Sequence, residues 1–142
     1  MAYSLSFSKA ILVVAMVADK VQLGQFEFIP AKLIAEYLDI ARPTLVKILQ
    51  SLTKAGILES REGAKGGVRL ARSPEEISVL DLLDALEQKR PLFQTDFRIN
   101  VSGKRPDKAQ EMVASILTEA EQQMKKRLAQ TSMADLLQLM NA

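Results

Sequence analysis

The chain of 142 residues contains no cysteine, no histidine and no tryptophan. Without cysteine there is no thiol redox sensing, no disulfide and no cysteine-ligated iron-sulfur cluster; without histidine as well, ordinary zinc sites and nucleophile-histidine catalysis are excluded. Aromatic residues make up only 5% of the chain, which argues against a base-stacking platform for single-stranded nucleic acid. No run approaches the roughly 18 apolar residues of a membrane span; the stretch from Ile11 to Ala18 is too short, and no secretory n-region with a cleavage site is visible. The expected compartment is therefore the cytoplasm, with no membrane partner. A hydrophobic content of 48% and a charged content of 25% suit one buried core with an appended element.

The net charge of +2 is small, but it is unevenly placed. Between Ile40 and Arg72, seven basic residues (Arg42, Lys47, Lys54, Arg61, Lys65, Arg69 and Arg72) face only Glu59 and Glu62, a local excess of five positive charges. The same stretch holds the most informative local pattern. Two short apolar strand patterns, Gly56 to Arg61 and Val68 to Ala71, flank a Gly-Ala-Lys-Gly-Gly turn. Glycines at Gly63, Gly66 and Gly67 permit positive φ and close backbone approach, so the hairpin can turn tightly with Lys65 at its tip. Strand alternation puts Val68 and Leu70 on one face and Arg69 on the other. The glycine spacing fits no phosphate-binding loop and no helix opens directly after it, so no enzyme is expected.

Upstream, Ser6 or Ser8 can cap a helix whose stripe is Ile11, Leu12, Ala15 and Ala18. Lys20 to Ile29 reads as a connection. Pro30 suits a helix first turn, and Ala31, Ile34, Ala35 and Leu38 carry the stripe to a turn at Asp39-Ile40. A second short helix opens at Pro43, buries Leu45, Ile48, Leu49 and Leu52, and stops at Ala55-Gly56. Its opposite face presents Pro43, Lys47, Gln50 and Lys54, with Thr44, Val46 and Ser51 on the flanks. Two short helices and then a hairpin make a winged helix-turn-helix, a mainly α fold with a small β wing, and its partner is double-stranded DNA. Gln50 can pair with adenine, Lys47 with guanine or phosphate, and Thr44 and Ser51 with base or backbone, while Arg42 suits a phosphate. The alternative is a winged-helix module that has given up DNA for protein contacts; such a surface would favour aromatic and apolar anchors over exposed lysine and arginine.

After the hairpin, Ser73-Pro74-Glu75-Glu76-Ile77-Ser78 opens a helix with Val79, Leu82, Leu83 and Leu86 inward and the carboxylates Asp81 and Asp84 outward. From Ile40 to Glu87 the chain resembles the Rrf2 family of bacterial transcription regulators, most specifically in Gly-Ala-Lys-Gly-Gly-Val-Arg-Leu-Ala-Arg-Ser-Pro-Glu-Glu-Ile-Ser-Val-Leu-Asp-Leu-Leu-Asp-Ala-Leu-Glu. Weaker similarity reaches the first helix and the ending Thr131 to Leu137. The resemblance implies a homodimeric DNA-binding repressor or activator, with the helix from Pro43 as reader and the hairpin from Arg61 to Arg69, including Gly66 and Gly67, as a minor-groove or phosphate wing. It also implies that Lys9 meets the DNA backbone. Two departures stand out. The segment after the wing-following helix, Pro91 to Pro106, lacks the cysteines with which cluster-sensing members hold iron, so no cofactor is carried over; and Val68 stands where the family usually has an aromatic residue. Thr95, Asp96 and Asn100 bring one carboxylate, too few for a cation site.

From Asp107 to Gln130, Ala109, Met112, Val113, Ile116, Leu117, Ala120, Met124 and Leu128 hold one apolar stripe along about 36 Å of helix. A small domain cannot cover that stripe, so a dimerisation helix packed on its symmetry mate is expected, with Met112, Val113, Ile116, Leu117, Ala120, Met124 and Leu128 in the interface. A last helix capped at Ser132, with Asp135 at N3, should pack Leu136, Leu137 and Met140 back onto the dimer. The expected organisation is a DNA-binding domain over 1–90, a connecting or effector segment over 91–106 and dimerisation helices over 107–142. The whole reads as a dimeric regulator, in the first instance a repressor of a pseudo-palindromic operator, without an iron-sulfur cluster. There is room for an unidentified small-molecule effector between the reader domain and the long helix.

Overall fold

The computed structural model describes residues 5–142. Helix α1 (Leu5–Gln22) is already formed at Leu5, so Ser6 and Ser8 lie within the helix and not at its N-cap. It buries Ala10, Val13, Val14 and Val17 together with Ala15 and Ala18, while Leu12 is 57% exposed and Ile11 half-buried. Of the expected stripe Ile11, Leu12, Ala15 and Ala18, Ala15 and Ala18 are buried and Ile11 packs against the core, while Leu12 faces outward because α1 is apolar on nearly every side. Spacing alone offered two faces, and packing selected the one running through Ala10, Val14 and Val17.

Helix α2 (Ala31–Leu38) starts after Pro30, which occupies the N-cap in extended backbone rather than the first turn, and ends at Asp39 in the left-handed region. Helix α3 (Arg42–Lys54) buries Leu45, Ile48, Leu49 and Leu52, as its periodicity predicts. Its C-terminus is a Schellman motif: Gly56, at φ +77°, donates its N–H to the Thr53 carbonyl, and Ile57 donates to Leu52, with both of those side chains in the core.

The chain reverses into an antiparallel hairpin, β1 (Leu58–Arg61) against β2 (Gly67–Leu70), pairing Leu58 with Leu70, Glu59 with Arg69, Ser60 with Val68 and Arg61 with Gly67. Alternation holds, since Val68 is buried and Leu70 packs against the core. A third stretch joins the pair. Ile29 and Val68 exchange N–H···O bonds of 2.8 and 2.9 Å, tying the hairpin to the segment before α2.

The glycines of the turn have different tasks. Gly63 and Gly67 have φ of +101° and +149°; Gly66 does not share that conformation, but a side chain there would run into the Arg61 carbonyl. At Gly67 a Cβ would collide with the carbonyl of Ile29, the residue that pairs with the wing.

A 3-10 turn at Pro74–Glu76 leads to α4 (Val79–Glu87), where Ser78 and Asp81 form a capping box; the outward carboxylate at Asp81 is a cap. Helix α5 (Lys104–Ala129) begins at Lys104, earlier than the expected Asp107, and has no buried residue. Helix α6 (Met133–Met140) carries a second capping box, Ser132 with Asp135. The two boxes abut: Val79 donates to Thr131, Met133 donates to Ile77, and Ser78 pairs with Ser132. Thus α6 packs back on α1 and the 3-10 turn, where Met133 and Leu137 are buried, while Met140 stays 54% exposed instead of packing inward.

Gly67→Ala should cost about 2 to 4 kcal/mol of unfolding free energy, because the collision opens the Ile29–Val68 pair. Gly63→Ala meets no atom within 4 Å and should cost only the left-handed backbone penalty, about 1 to 2 kcal/mol. Denaturant titration of both variants checks the order; equal losses would mean that the close approach is unimportant.

Candidate nucleic-acid interface

The N-terminus of α2, the outer face of α3 and the near side of the hairpin enclose a groove of about 460 Å³. Five residues expected to meet DNA line it together: Arg42, Gln50, Arg61, Gly66 and Gly67. Lys32, in the first turn of α2, lines it too and escaped notice, because a lone exposed lysine carries no pattern. Lys47 is exposed on α3 and Lys65 at the wing tip; among the described residues neither has an ion-pair partner. Thr44 and Ser51 are half-buried on the flanks of α3. Lys9 lies half-buried on α1 and does not line this groove.

Arg69 is placed differently from the rest. It does not line the groove, and its guanidinium grips Glu59 side-on, with Nε and Nη2 2.6 and 2.5 Å from Oε1 of the cross-strand neighbour. Arg61 and Arg69 both lie over the ring of Phe28, at 4.3 and 4.5 Å from its centroid, and both approach Glu27, at 3.4 and 3.5 Å. Glu27 and Phe28 were hidden in what the sequence presented as a connection. The alternation Phe26-Glu27-Phe28-Ile29 was the one available sign of a strand-like partner for the wing.

The stripe of α5 is only partly covered in one chain. Met112, Val113 and Ile116 are 56%, 45% and 61% exposed, Ala120 is exposed, and Leu117, Met124 and Leu128 are half-buried. Between α4, the connecting segment and α5 lies a cavity of about 700 Å³, lined by Glu87, Arg90, Phe93, Asp96 and Glu121 among others, where an effector was expected. Burial pushes the Glu121 carboxyl up, but hydrogen bonds from the Leu92 N–H (2.5 Å), Lys125 and the Phe93 N–H outweigh it and hold the group below the ordinary carboxylate range. Among the described residues, no helix is long and apolar enough to cross a membrane.

The sequence profile of the Rrf2 family, described as "Iron-dependent Transcriptional regulator", matches residues 4–139. The chain is 31% identical over 122 residues to Protein rrf2 of Nitratidesulfovibrio vulgaris, covering 86% of this chain and 79% of that one. It is 40% identical over 63 residues to the HTH-type transcriptional regulator NsrR of Halalkalibacterium halodurans, 44% of this chain and 43% of the relative. In the first curated relatives by similarity, the matched stretch spans 35 to 43% of their own length. Among solved structures, IscR of T. potens superposes with a TM-score of 0.69 at 23% identity, over 97% of this chain and 87% of that one, a likeness of fold.

A carboxyl held below its usual range adds stability that is complete above the ordinary carboxylate pKa and is lost as pH falls through the lowered value. Glu121→Gln should therefore be less stable than wild type near neutrality, and the gap should close as pH drops from about 7 to about 3. Unfolding titrations at several pH values read this directly; a gap that stays constant with pH would show that the hydrogen bonds to Glu121 do not favour its charged form.

Proposed function

The chain belongs to the Rrf2 family of transcription regulators, DNA-binding winged-helix proteins and not enzymes, and from that premise we propose that it acts as a homodimeric repressor that reads a pseudo-palindromic operator through α3 and the wing. The observation that carries this reading is the groove in which Arg42 and Gln50 of α3 face Arg61 and the glycines of the wing, with Lys47 and Lys65 exposed at the surface. The helix suits the major groove, where Gln50 can offer its amide to adenine and Lys47 its ammonium to guanine or phosphate. The wing brings cationic and backbone N–H donors to the adjoining phosphates. Repression is the simpler regulatory mode, because occluding a promoter needs binding alone.

Support for the dimer comes from α5. None of its 26 residues is fully buried within one chain, and the exposed part of its apolar stripe, Met112, Val113 and Ile116, is what a symmetry mate would cover. We read the protein as working without an iron-sulfur cluster, although the family description includes iron dependence. The donor set does not fit: the chain has neither cysteine nor histidine, and among the described residues no three acidic groups converge on a metal position.

Selection of bound fragments from random duplex DNA supplies the operator. On it, Lys65→Ala should lower the salt slope by about one unit, and Lys47→Ala should either do the same or, where it meets a base, cost about 1 to 3 kcal/mol and relax specificity. Unchanged affinity in a folded double variant would remove α3 and the wing from DNA.

Ile116→Asp puts a charge in the middle of the α5 stripe and should give a folded monomer by sedimentation, with operator affinity near the non-specific level. A wild type that sediments as a monomer while keeping full operator affinity would contradict the dimer.

A further inference from the structure

The two wing arginines are not equivalent, and the difference lies in their carboxylate partners. Arg69 is held by Glu59 across the hairpin through two guanidinium nitrogens, at 2.6 and 2.5 Å. That side-on grip fixes its plane over Phe28. Arg61 has no such anchor. One nitrogen, Nη2, reaches Glu27 Oε1 at 3.4 Å; the rest of its support is the face of the same ring, and half of its side chain is exposed. Glu27 is itself 64% exposed and lies outside the hairpin, on the segment that leads to Ile29 and α2.

We propose that Glu27 is a positioning residue that restrains the wing: its carboxylate holds Arg61 on the Phe28 ring in the free protein and yields it to DNA phosphate on binding. The proposal rests on the reading that the wing meets DNA. Its physical content is a competition. Arg61 lines the groove, so a phosphate that pairs with it must take the guanidinium from Glu27, and Glu27 opposes binding through that one side chain. Removing Glu27 frees Arg61 in particular, because Arg69, which loses only its 3.5 Å contact to Glu27, keeps two nitrogens on Glu59 Oε1. The ring beneath retains its place either way, since Phe28 is buried beside Ile29 and Ile29 is bonded to Val68.

The restraint predicts a gain of affinity from losing a conserved-volume contact, a direction that damage to the fold does not produce. Glu27→Gln keeps the length and removes the charge. Titrated against a mixed-sequence duplex of about 30 base pairs at low salt, the full-length variant should bind about two- to fivefold more tightly than wild type, the range of one exposed ion pair. Its salt dependence should be steeper, by up to about one unit per protomer. Arg61→Ala should bind more weakly, and in the Arg61→Ala background Glu27→Gln should change nothing, since its effect passes through Arg61. Thermal unfolding of each variant verifies the fold.

Glu27→Gln without a gain, while Arg61→Ala still weakens binding, would overturn the restraint and leave the DNA reading intact. A gain that persists in the Arg61→Ala background would overturn it too, showing that Glu27 repels DNA only through its charge. If neither Arg61→Ala nor Lys47→Ala affected binding, the DNA reading itself would fail, and the restraint with it.

Discussion

Two backbone hydrogen bonds between Ile29 and Val68 set the geometry on which the rest of the reader domain depends. A two-stranded hairpin on its own is marginal in water, and a wing that moved freely would present its cations to DNA only at an entropic cost. The bonds fix β2 to the segment that starts α2, and α2 is joined to α3 by a short turn. The distance from the wing to the outer face of α3 is thereby set. Gly67 is the sequence element that permits this approach, since any side chain there would meet the Ile29 carbonyl. The same pairing brings Phe28 and Glu27 under the wing arginines, so the electrostatics of the site follow from the backbone constraint.

What was legible in the sequence was what depends on neighbours along the chain. The buried stripe of α3, its glycine stop, the hairpin alternation and the capping box at Ser132 and Asp135 are all fixed by residues within a turn or two of one another. What was not legible depends on distant partners. The Ile29–Val68 pair joins positions 39 residues apart in sequence, and no local pattern announces it. Phe28 looked like one sparse aromatic in a connection, yet it is the platform for two guanidinium groups. In α1 the difficulty was the opposite one: too many apolar residues made two faces equally plausible, and only the packed core separates Val13, Val14 and Val17 from the exposed Leu12. Among the expected site residues, Arg69 best shows the limit. Alternation correctly turned it away from Val68 but could not reveal that Glu59 stands opposite.

The placement of α6 changes how the reader domain and the long helix relate. The sequence grouped the last two helices as one dimerisation unit, whereas the paired backbone at Ser78 and Ser132 and the burial of Met133 fasten α6 to the reader domain. The end of α5 is therefore tied back to α4 and α1, and α5 is held to the reader domain at its far end as well as through the connecting segment.

The central claim is that two copies of this fold hold two α3 helices at a separation matched to duplex DNA. Hydroxyl-radical footprinting of the wild-type protein on a selected operator tests it most directly. The account predicts two protected clusters related by dyad symmetry, lying on one face of the duplex and spaced by about one helical turn or a multiple of it. A single cluster without a symmetric counterpart, or uniform protection along the fragment, would contradict it.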